Sequence, residues 1–242
     1  DGGTLKLTGS GSIGNGGLTV NNGGTFSIAN DDFNSLGGAI TVNEGGTLST
    51  DSTGGGNAHN IGAITLNGGT LSSSGNTWSE GNWILNGDVT VGGSALSTIS
   101  GLAVGSKSGG GTYNVADSVA GADTDLLVSA EIKLGSLTKT GTGTMELTGT
   151  GSYTGDTTVS EGTLSLASSY THTGTGAFIV EGGTLNIADD VDITSSSMTI
   201  SLGGVISPGN SPGTAITGAQ TWEDGGTYLW EINNSAGTKG EP

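Results

Sequence analysis

Clustered acidic residues are the side chains of this sequence most able to do chemistry. Carboxylate oxygens are the ligands that Ca²⁺ prefers, and a pair of carboxylates can hydrolyse a glycosidic bond. Neither a D-x-[DN]-x-[DN]-G loop nor a G-G-x-G-x-D repeat is present to define a calcium site. Structural calcium therefore stays open, and we expect no other cofactor. The candidate metal ligands are Asp117, Asp123, Asp125, Asp189, Asp190 and Asp192.

Two histidines are further candidates for acid–base chemistry. The chain has no cysteine that could act as a nucleophile. His59 follows a stretch rich in Gly and Asn that predicts a loop, whereas His172 lies in a predicted strand. We interpret both as exposed surface imidazoles. The sequence therefore predicts no catalytic residue and no enzyme activity.

Four tryptophans are candidates for ligand contact, because an exposed aromatic ring can stack on a sugar. Two of them lie near the C-terminal end of the sequence, where a cap or a contact is expected. These residues support the alternative that the chain is a module that binds glycans or host surfaces. They are Trp78, Trp83, Trp222 and Trp230.

The charge of the chain excludes several classes of partner. Five lysines and no arginine stand against 22 carboxylates, which gives a formal net charge of -17. Nucleic acids and anionic lipid surfaces need clustered basic residues, and none are present. No apolar run is long enough to span a membrane as a helix. We therefore expect neither nucleic-acid binding nor membrane insertion of this segment.

A repeated Gly-Gly-Thr-Leu unit organises these residues. Its threonines occur at positions 4, 25, 47 and 70, in steps of 21, 22 and 23, and again at 163 and 184. Gly92–Leu96 is interpreted as a degenerate fifth copy and Gly225–Trp230 as an aromatic one. A short alternating string and an Asn-Gly corner precede many copies, as in Leu18–Asn22. A fixed period of this length indicates a stacked-repeat architecture.

The repeat predicts an all-β, right-handed parallel β-helix with about 21–23 residues per coil. Apolar residues make up only 31% of the chain, which suits strands that bury one face in a narrow core. An immunoglobulin-like sandwich is the rival fold, but its strands rarely repeat one sequence at one step. The residues expected in the core are Val20, Phe26, Ile28, Ile40, Val42, Leu48, Ile64, Leu66, Leu71, Leu164, Leu166, Leu185 and Ile187.

Residues 138–167 carry a more specific pattern. It contains the spaced residues Lys139, Gly141, Gly143, Leu147, Gly149, Tyr153, Gly155, Val159, Gly162 and Leu164. This stretch closely resembles the passenger-associated transport repeat, also called the autotransporter-associated β-strand repeat. Residues 203–214 and 227–233 resemble stretches that follow such repeats in large bacterial surface proteins. The resemblance implies a β-helical passenger or stalk region of a secreted or outer-surface bacterial protein.

We expect a single β-solenoid over residues 1–242. It would comprise degenerate coils at 1–137, the passenger-associated repeat at 138–187, and uncapped C-terminal coils at 188–242. The expected function is structural, as a stiff stalk, an extracellular filament subunit or an adhesin scaffold, located outside the cell or on the bacterial outer surface. The expected partners are neighbouring β-helical modules or copies of itself, stacked head to tail, and surface glycans. A glycan hydrolase that uses carboxylates is the third function considered.

Overall fold

The protein is an all-β solenoid. The computed structural model describes residues 2–8, 14, 16–29, 35–50, 58–74, 82–106, 109–120, 124–209 and 213–229, and no helix occurs among them. The 30 strands found in these described ranges form three long sheets and one pair. Among the described residues, no helical segment meets the length and hydropathy needed to cross a membrane.

The first sheet has eleven strands: β1 Thr4–Leu7, β3 Thr25–Ile28, β6 Thr47–Thr50, β9 Thr70–Ser73, β12 Ser97–Gly101, β15 Leu126–Val128, β18 Thr144–Leu147, β21 Thr163–Leu166, β24 Thr184–Ile187, β27 Val205–Pro208 and β30 Thr227–Tyr228. The second has ten: β2 Leu18–Val20, β5 Ile40–Asn43, β8 Ile64–Asn67, β11 Val89–Gly92, β14 Gly111–Val115, β17 Leu137–Thr140, β20 Thr157–Val159, β23 Phe178–Val180, β26 Met198–Ile200 and β29 Gln220–Trp222. The third has seven: β4 Ser35–Leu36, β7 His59–Ile61, β10 Trp83–Leu85, β13 Ala103–Ser106, β16 Glu131–Lys133, β19 Thr150–Gly151 and β22 Thr171–His172. The remaining pair is β25 Asp192–Ile193 and β28 Ile216–Thr217.

Successive copies of the repeat lie directly on one another. Thr4 pairs with Thr25, Thr25 with Thr47, and Thr47 with Thr70, always in parallel register. The second sheet stacks in the same way, with Leu18 beside Ile40. These ladders confirm the solenoid and exclude the sandwich, in which strands from one repeat unit would not pair with the next.

The core consists of the inward residues of every coil. All of the residues predicted to face inward are at most 5% exposed, so the predicted core is confirmed. Most strands alternate buried and more exposed residues, as β6 does with buried Leu48 and Thr50 and partly exposed Thr47 and Ser49. A narrow core of this kind explains how a chain with few apolar residues folds.

The fifth copy of the repeat is not where the Gly-Gly pair predicts it. Thr98, not Ser94, pairs with Thr70, so the coil contains 28 residues. Leu96 is 42% exposed in the corner before β12. The Ser97 hydroxyl accepts a hydrogen bond from the Gly68 amide at 3.0 Å, and this contact fixes where the chain rejoins the sheet.

The coils form two blocks, one up to β15 and one from β17 onward. The position of the repeat threonine along the first sheet differs by two residues between the blocks. In the first block the leucine directly after the repeat threonine, Leu71, lies beside Ile99 and then Val128. In the second block that inward row continues through Leu147 and Leu166, the latter three residues after its threonine. An even shift keeps every inward residue inward, because side chains alternate with a period of two. The predicted 21–23-residue period therefore fails between the blocks, where coils contain 19 to 29 residues.

Candidate functional site

Three of the predicted site residues, Asp123, Trp78 and Trp230, lie outside the described residues. The structure places the others at four separate positions. Two of the aspartates flank a groove beside β18, and two more line a cleft beside β22. Trp83 lies in the core, and Trp222 lies in the last described coil.

Asp125 binds backbone amides and thereby closes a loop. Its Oδ1 accepts hydrogen bonds from the amides of Ser118 and Val119, both at 3.0 Å, and its Oδ2 accepts one from Thr144 at 2.9 Å. Asp117 is exposed on the same loop. In the part of the chain that the structure describes, no group of three or more His, Asp or Glu side chains could hold a metal ion. The structure therefore gives no support to calcium at Asp117 and Asp125.

The second acidic cluster lies at a cleft of about 260 Å³. Asp190 and Asp192 line this cleft, whereas the Asp189 carboxylate accepts a hydrogen bond from the Thr214 amide at 2.8 Å. Asp192 accepts one from the Thr194 amide at 2.8 Å, and the hydrogen bonds from Thr194 lower the pKa of Asp192. Among the described residues, these three carboxylates do not form a group that could hold a metal ion.

His172 also lines this cleft, in a strand as predicted. The interpretation of His172 as a freely exposed imidazole is wrong. Its Nε2 lies 2.9 Å from Ser196 Oγ and its Nδ1 lies 3.1 Å from Tyr170 Oη. The imidazole also packs edge-on against the ring of Phe178, at a centroid distance of 5.1 Å. Burial lowers the pKa of His172, which favours the neutral ring.

The contacts of His172 belong to a network of buried hydroxyl groups. Tyr153 Oη lies 2.6 Å from Thr157 Oγ1, and burial raises the pKa of both Tyr153 and Tyr170. A Ser–His pair could in principle form a nucleophile, but Ser196 is only 2% exposed and does not line the cleft. The geometry therefore suits a network that ties neighbouring coils together.

His59 and Trp83 are both buried in the third sheet. His59 lies in β7 and pairs with Trp83 in β10, and neither side chain is more than 1% exposed. Trp83 Nε1 donates a hydrogen bond to the carbonyl oxygen of Ser72 at 2.8 Å. The predicted loop position and exposure of His59 are wrong, and so is the predicted surface contact of Trp83, because both rings fill the core. The alternation of His59 with Ile61 is the signal that could have revealed this strand.

Trp222 is 42% exposed and remains available for contact. Its Nε1 donates a hydrogen bond to Gln220 Oε1 at 2.9 Å, and its ring lies 6.3 Å from that of Tyr228. Both rings continue rows of inward-facing side chains. Trp222 lies beside Ile200 of the preceding coil, and Tyr228 lies beside Ile206. The pair forms an aromatic surface on the last described coil.

Sequence reasoning missed a buried ammonium group at the corner after β17. Lys139 points inward, is fully buried, and donates from Nζ to the carbonyl oxygens of Thr140 at 2.9 Å, Gly141 at 2.7 Å and Glu161 at 3.1 Å. Burial lowers the pKa of Lys139 to about 8, against the opposing effects of the Glu161 and Asp125 carboxylates. The alternation of Leu137 with Lys139 placed this lysine on the inward face, and that signal was available in the sequence.

Glycines make room for this ammonium group. Gly162 has a φ of +65°, and a Cβ there would press on the Gly141 carbonyl oxygen and lie 2.8 Å from Lys139 Nζ. A Cβ at Gly143 would lie 2.6 Å from Asp125 Oδ2. The spaced lysine and glycines of the sequence pattern thus form one structural unit, which we call the Lys139 corner: Lys139, Gly141, Gly143, Glu161 and Gly162.

The stacked coils and the Lys139 corner define a repeat protein of the parallel β-solenoid class. Residues 137–166 and 161–187 match the passenger-associated-transport-repeat family, which confirms the resemblance over this part of the chain. No curated protein and no solved structure shows a significant match. The repeat and the solenoid fit a structural passenger segment of an autotransporter.

Proposed function

We propose that the chain is a stiff structural segment, a stalk, filament subunit or adhesin scaffold, of a secreted or outer-surface bacterial protein. The observation that carries this proposal is the unbroken parallel ladder of eleven strands in the first sheet. Each coil is held by hydrogen bonds and apolar contacts to the coils on both sides, an arrangement suited to bearing load. The passenger-associated repeats support the location.

Single-molecule pulling from the two ends of the chain tests a load-bearing function. A coil of 21 residues, the spacing of Thr163 and Thr184, should release roughly 7 nm of chain when it detaches. We expect a series of force peaks separated by steps of about this size. Extension without resolved peaks would contradict a stalk.

A catalytic function is not part of this proposal. The buried Ser196 hydroxyl and the separated aspartates support a non-enzymatic segment. Incubation with a polysaccharide panel should release no reducing sugar. Release that His172→Gln abolishes would instead assign catalysis to the cleft beside β22.

The exposed Trp222–Tyr228 pair favours glycan binding as a second candidate function. An exposed aromatic ring can bind the apolar face of a sugar ring, and Trp222 and Tyr228 are each about two-fifths exposed. A glycan array probed with the wild-type chain and with Trp222→Ala tests this function. Leu202→Ala is the matched control, because Leu202 is more exposed than either ring but is not aromatic. Binding lost in both variants or in neither would contradict recognition through Trp222.

The same surface suits a further coil as a partner. Within the described residues, β29 and β30 each pair on one side, and the inward rows continue through Trp222 and Tyr228. A coil from a neighbouring β-helical module or from a second copy of the chain would cover both rings. Sedimentation of the wild type and of Trp222→Asp over a concentration series tests self-association. A single monomeric species throughout would exclude the second copy as the partner.

A further inference from the structure

A groove of about 630 Å³ lies on the outer face of the first sheet, beside β18. Its floor consists of outward residues from three adjacent strands, β18, β21 and β24. Glu146, Ser165 and Asn186 lie side by side in one row of this floor, and Thr144 and Thr163 belong to the neighbouring row. Two spacings between paired strands make the floor about 10 Å across. The groove, which we call the β18 groove, therefore crosses three coils of the solenoid.

The loop that precedes β15 forms one wall of the β18 groove. The buried Asp125 carboxylate fixes this loop, because it accepts hydrogen bonds from the Ser118 and Val119 amides and from the first amide of β18. The Thr124 hydroxyl donates to the Glu146 carboxylate at 2.9 Å and so joins the wall to the floor. A wall held in this way is pre-organised, which reduces the entropy lost when a ligand binds.

The floor of the β18 groove carries polar side chains that the fold does not use. Ser165 and Asn186 are partly exposed between buried neighbours. Neither side chain forms a hydrogen bond with another of the described residues. A serine hydroxyl and an asparagine amide each offer both donors and acceptors. The floor therefore presents hydrogen-bonding groups about 4.8 Å apart along one row.

The lining of the β18 groove argues against three classes of ligand. Every lining residue is polar or glycine, so an apolar ligand would find no complementary surface. Asp117, Asp125 and Glu146 would repel a polyanion, and none of the described lining residues is basic. A metal ion would compete with the amides that bind both Asp125 oxygens and with the Thr124 hydroxyl on Glu146. A neutral ligand rich in hydroxyl groups fits these constraints best.

We propose that the β18 groove binds a short neutral oligosaccharide that lies across the coils. Its hydroxyl oxygens accept hydrogen bonds from Ser165 and Asn186, and its hydroxyl groups donate to the Asp117 and Glu146 carboxylates. The site is separate from the Trp222–Tyr228 surface, which lies in the last described coil. It adds recognition to the structural function, so a negative binding result would leave the load-bearing proposal to be decided by its own pulling experiment.

Titration of the isotope-labelled full chain, followed by amide NMR shifts, tests the ligand class. The neutral probes are cellohexaose, xylohexaose, mannohexaose and laminarihexaose, and the charged probes are hexagalacturonate, hexalysine and calcium chloride. At least one neutral probe should shift the amide resonances of Glu146, Ser165 and Asn186 and leave that of Ser49, on the same sheet, unchanged. The proposal is overturned if no neutral probe shifts these three amides, or if only hexalysine or calcium does.

Substitutions on the floor assign the binding to the groove. Ser165→Leu fills the floor without changing the charge and should weaken binding of the neutral probe at least ~10-fold. Ser72→Leu is the matched control, because Ser72 is a partly exposed serine at an outward position of β9 in the same sheet.

Asn186→Ala is a second variant, which removes the amide and adds no volume, so it serves if Ser165→Leu does not fold. It should also weaken binding, whereas Trp222→Ala should bind like the wild type. Full binding by both Ser165→Leu and Asn186→Ala, or an equal loss in Ser72→Leu or Trp222→Ala, would place the oligosaccharide elsewhere and refute the site.

Discussion

Polar side chains at inward-facing positions bind backbone groups where a row of apolar side chains is interrupted. Ser97 occupies such a position in β12, where its hydroxyl accepts from the Gly68 amide and donates to the Leu66 carbonyl oxygen. Lys139 does the same for three carbonyl oxygens at the block boundary. Buried polar groups are tolerated where they are satisfied, so these residues mark where the coils depart from the simple repeat.

The titration of Lys139 makes stability rise with pH in a defined window. The pKa of this lysine is about 8 in the folded chain and about 10.4 in an unfolded one. Between these values the unfolded chain binds an additional proton, so the free energy of unfolding increases from pH 8 towards pH 10. Above pH 10 the raised pKa values of Tyr153 and Tyr170 act in the opposite direction, because unfolded tyrosines ionise first. Urea unfolding from pH 7 to 11 should show the rise in the wild type and in Lys133→Met. Its persistence in Lys139→Met would contradict the assignment.

The titration of His172 makes folding stability depend on pH in a second, acidic window. Burial lowers its pKa below the ordinary value of about 6.5. As the pH falls through 6.5, the unfolded chain gains a proton that the folded imidazole resists, so stability decreases. His172→Gln keeps a polar side chain near Tyr170 and Ser196 and cannot titrate. The difference in unfolding free energy between wild type and variant should therefore change between pH 7 and 5. A constant difference would show that His172 does not titrate differently on folding.

At the scale of the strand and corner, glycine at position 162 is required by two separate constraints. Its φ of +65° costs ~1–2 kcal/mol for any residue with a Cβ, and that Cβ would also press on the Gly141 carbonyl oxygen. We expect Gly162→Ala to lower the free energy of unfolding by at least ~2 kcal/mol. Gly3→Ala is the matched control, because nothing lies within 4 Å of a Cβ there. Equal unfolding midpoints for the two variants would disprove the close approach.

The sequence pattern predicted the coils that repeat regularly and failed where the chain changes register. Steps of 21 to 23 residues placed Thr4, Thr25, Thr47 and Thr70 correctly, because a fixed period reports stacked coils directly. β15 has no Gly-Gly-Thr-Leu sequence, and its position follows only from pairing with β12 and β18. The third sheet was missed because its strands are only two to four residues long and share no repeated sequence. Lys139 was missed as a structural centre because its partners are backbone carbonyl oxygens, which no side-chain pattern reveals.

At the scale of the whole molecule, the solenoid is close to a one-dimensional stack in which a coil contacts mainly its neighbours. Leu71 has 0% exposure in β9, between Leu48 and Ile99. Leu71→Asp buries an unpaired carboxylate and should cost ~4 kcal/mol. Because coupling passes from coil to coil, amide protection should fall in β6, β9 and β12 and persist in β21 and β24. Ser72→Asp, one position along on the outward face, should leave all five strands protected. Uniform loss of protection in all five strands of Leu71→Asp would show instead that the molecule unfolds as one cooperative unit. That result would contradict a stack in which each coil is coupled mainly to its neighbours.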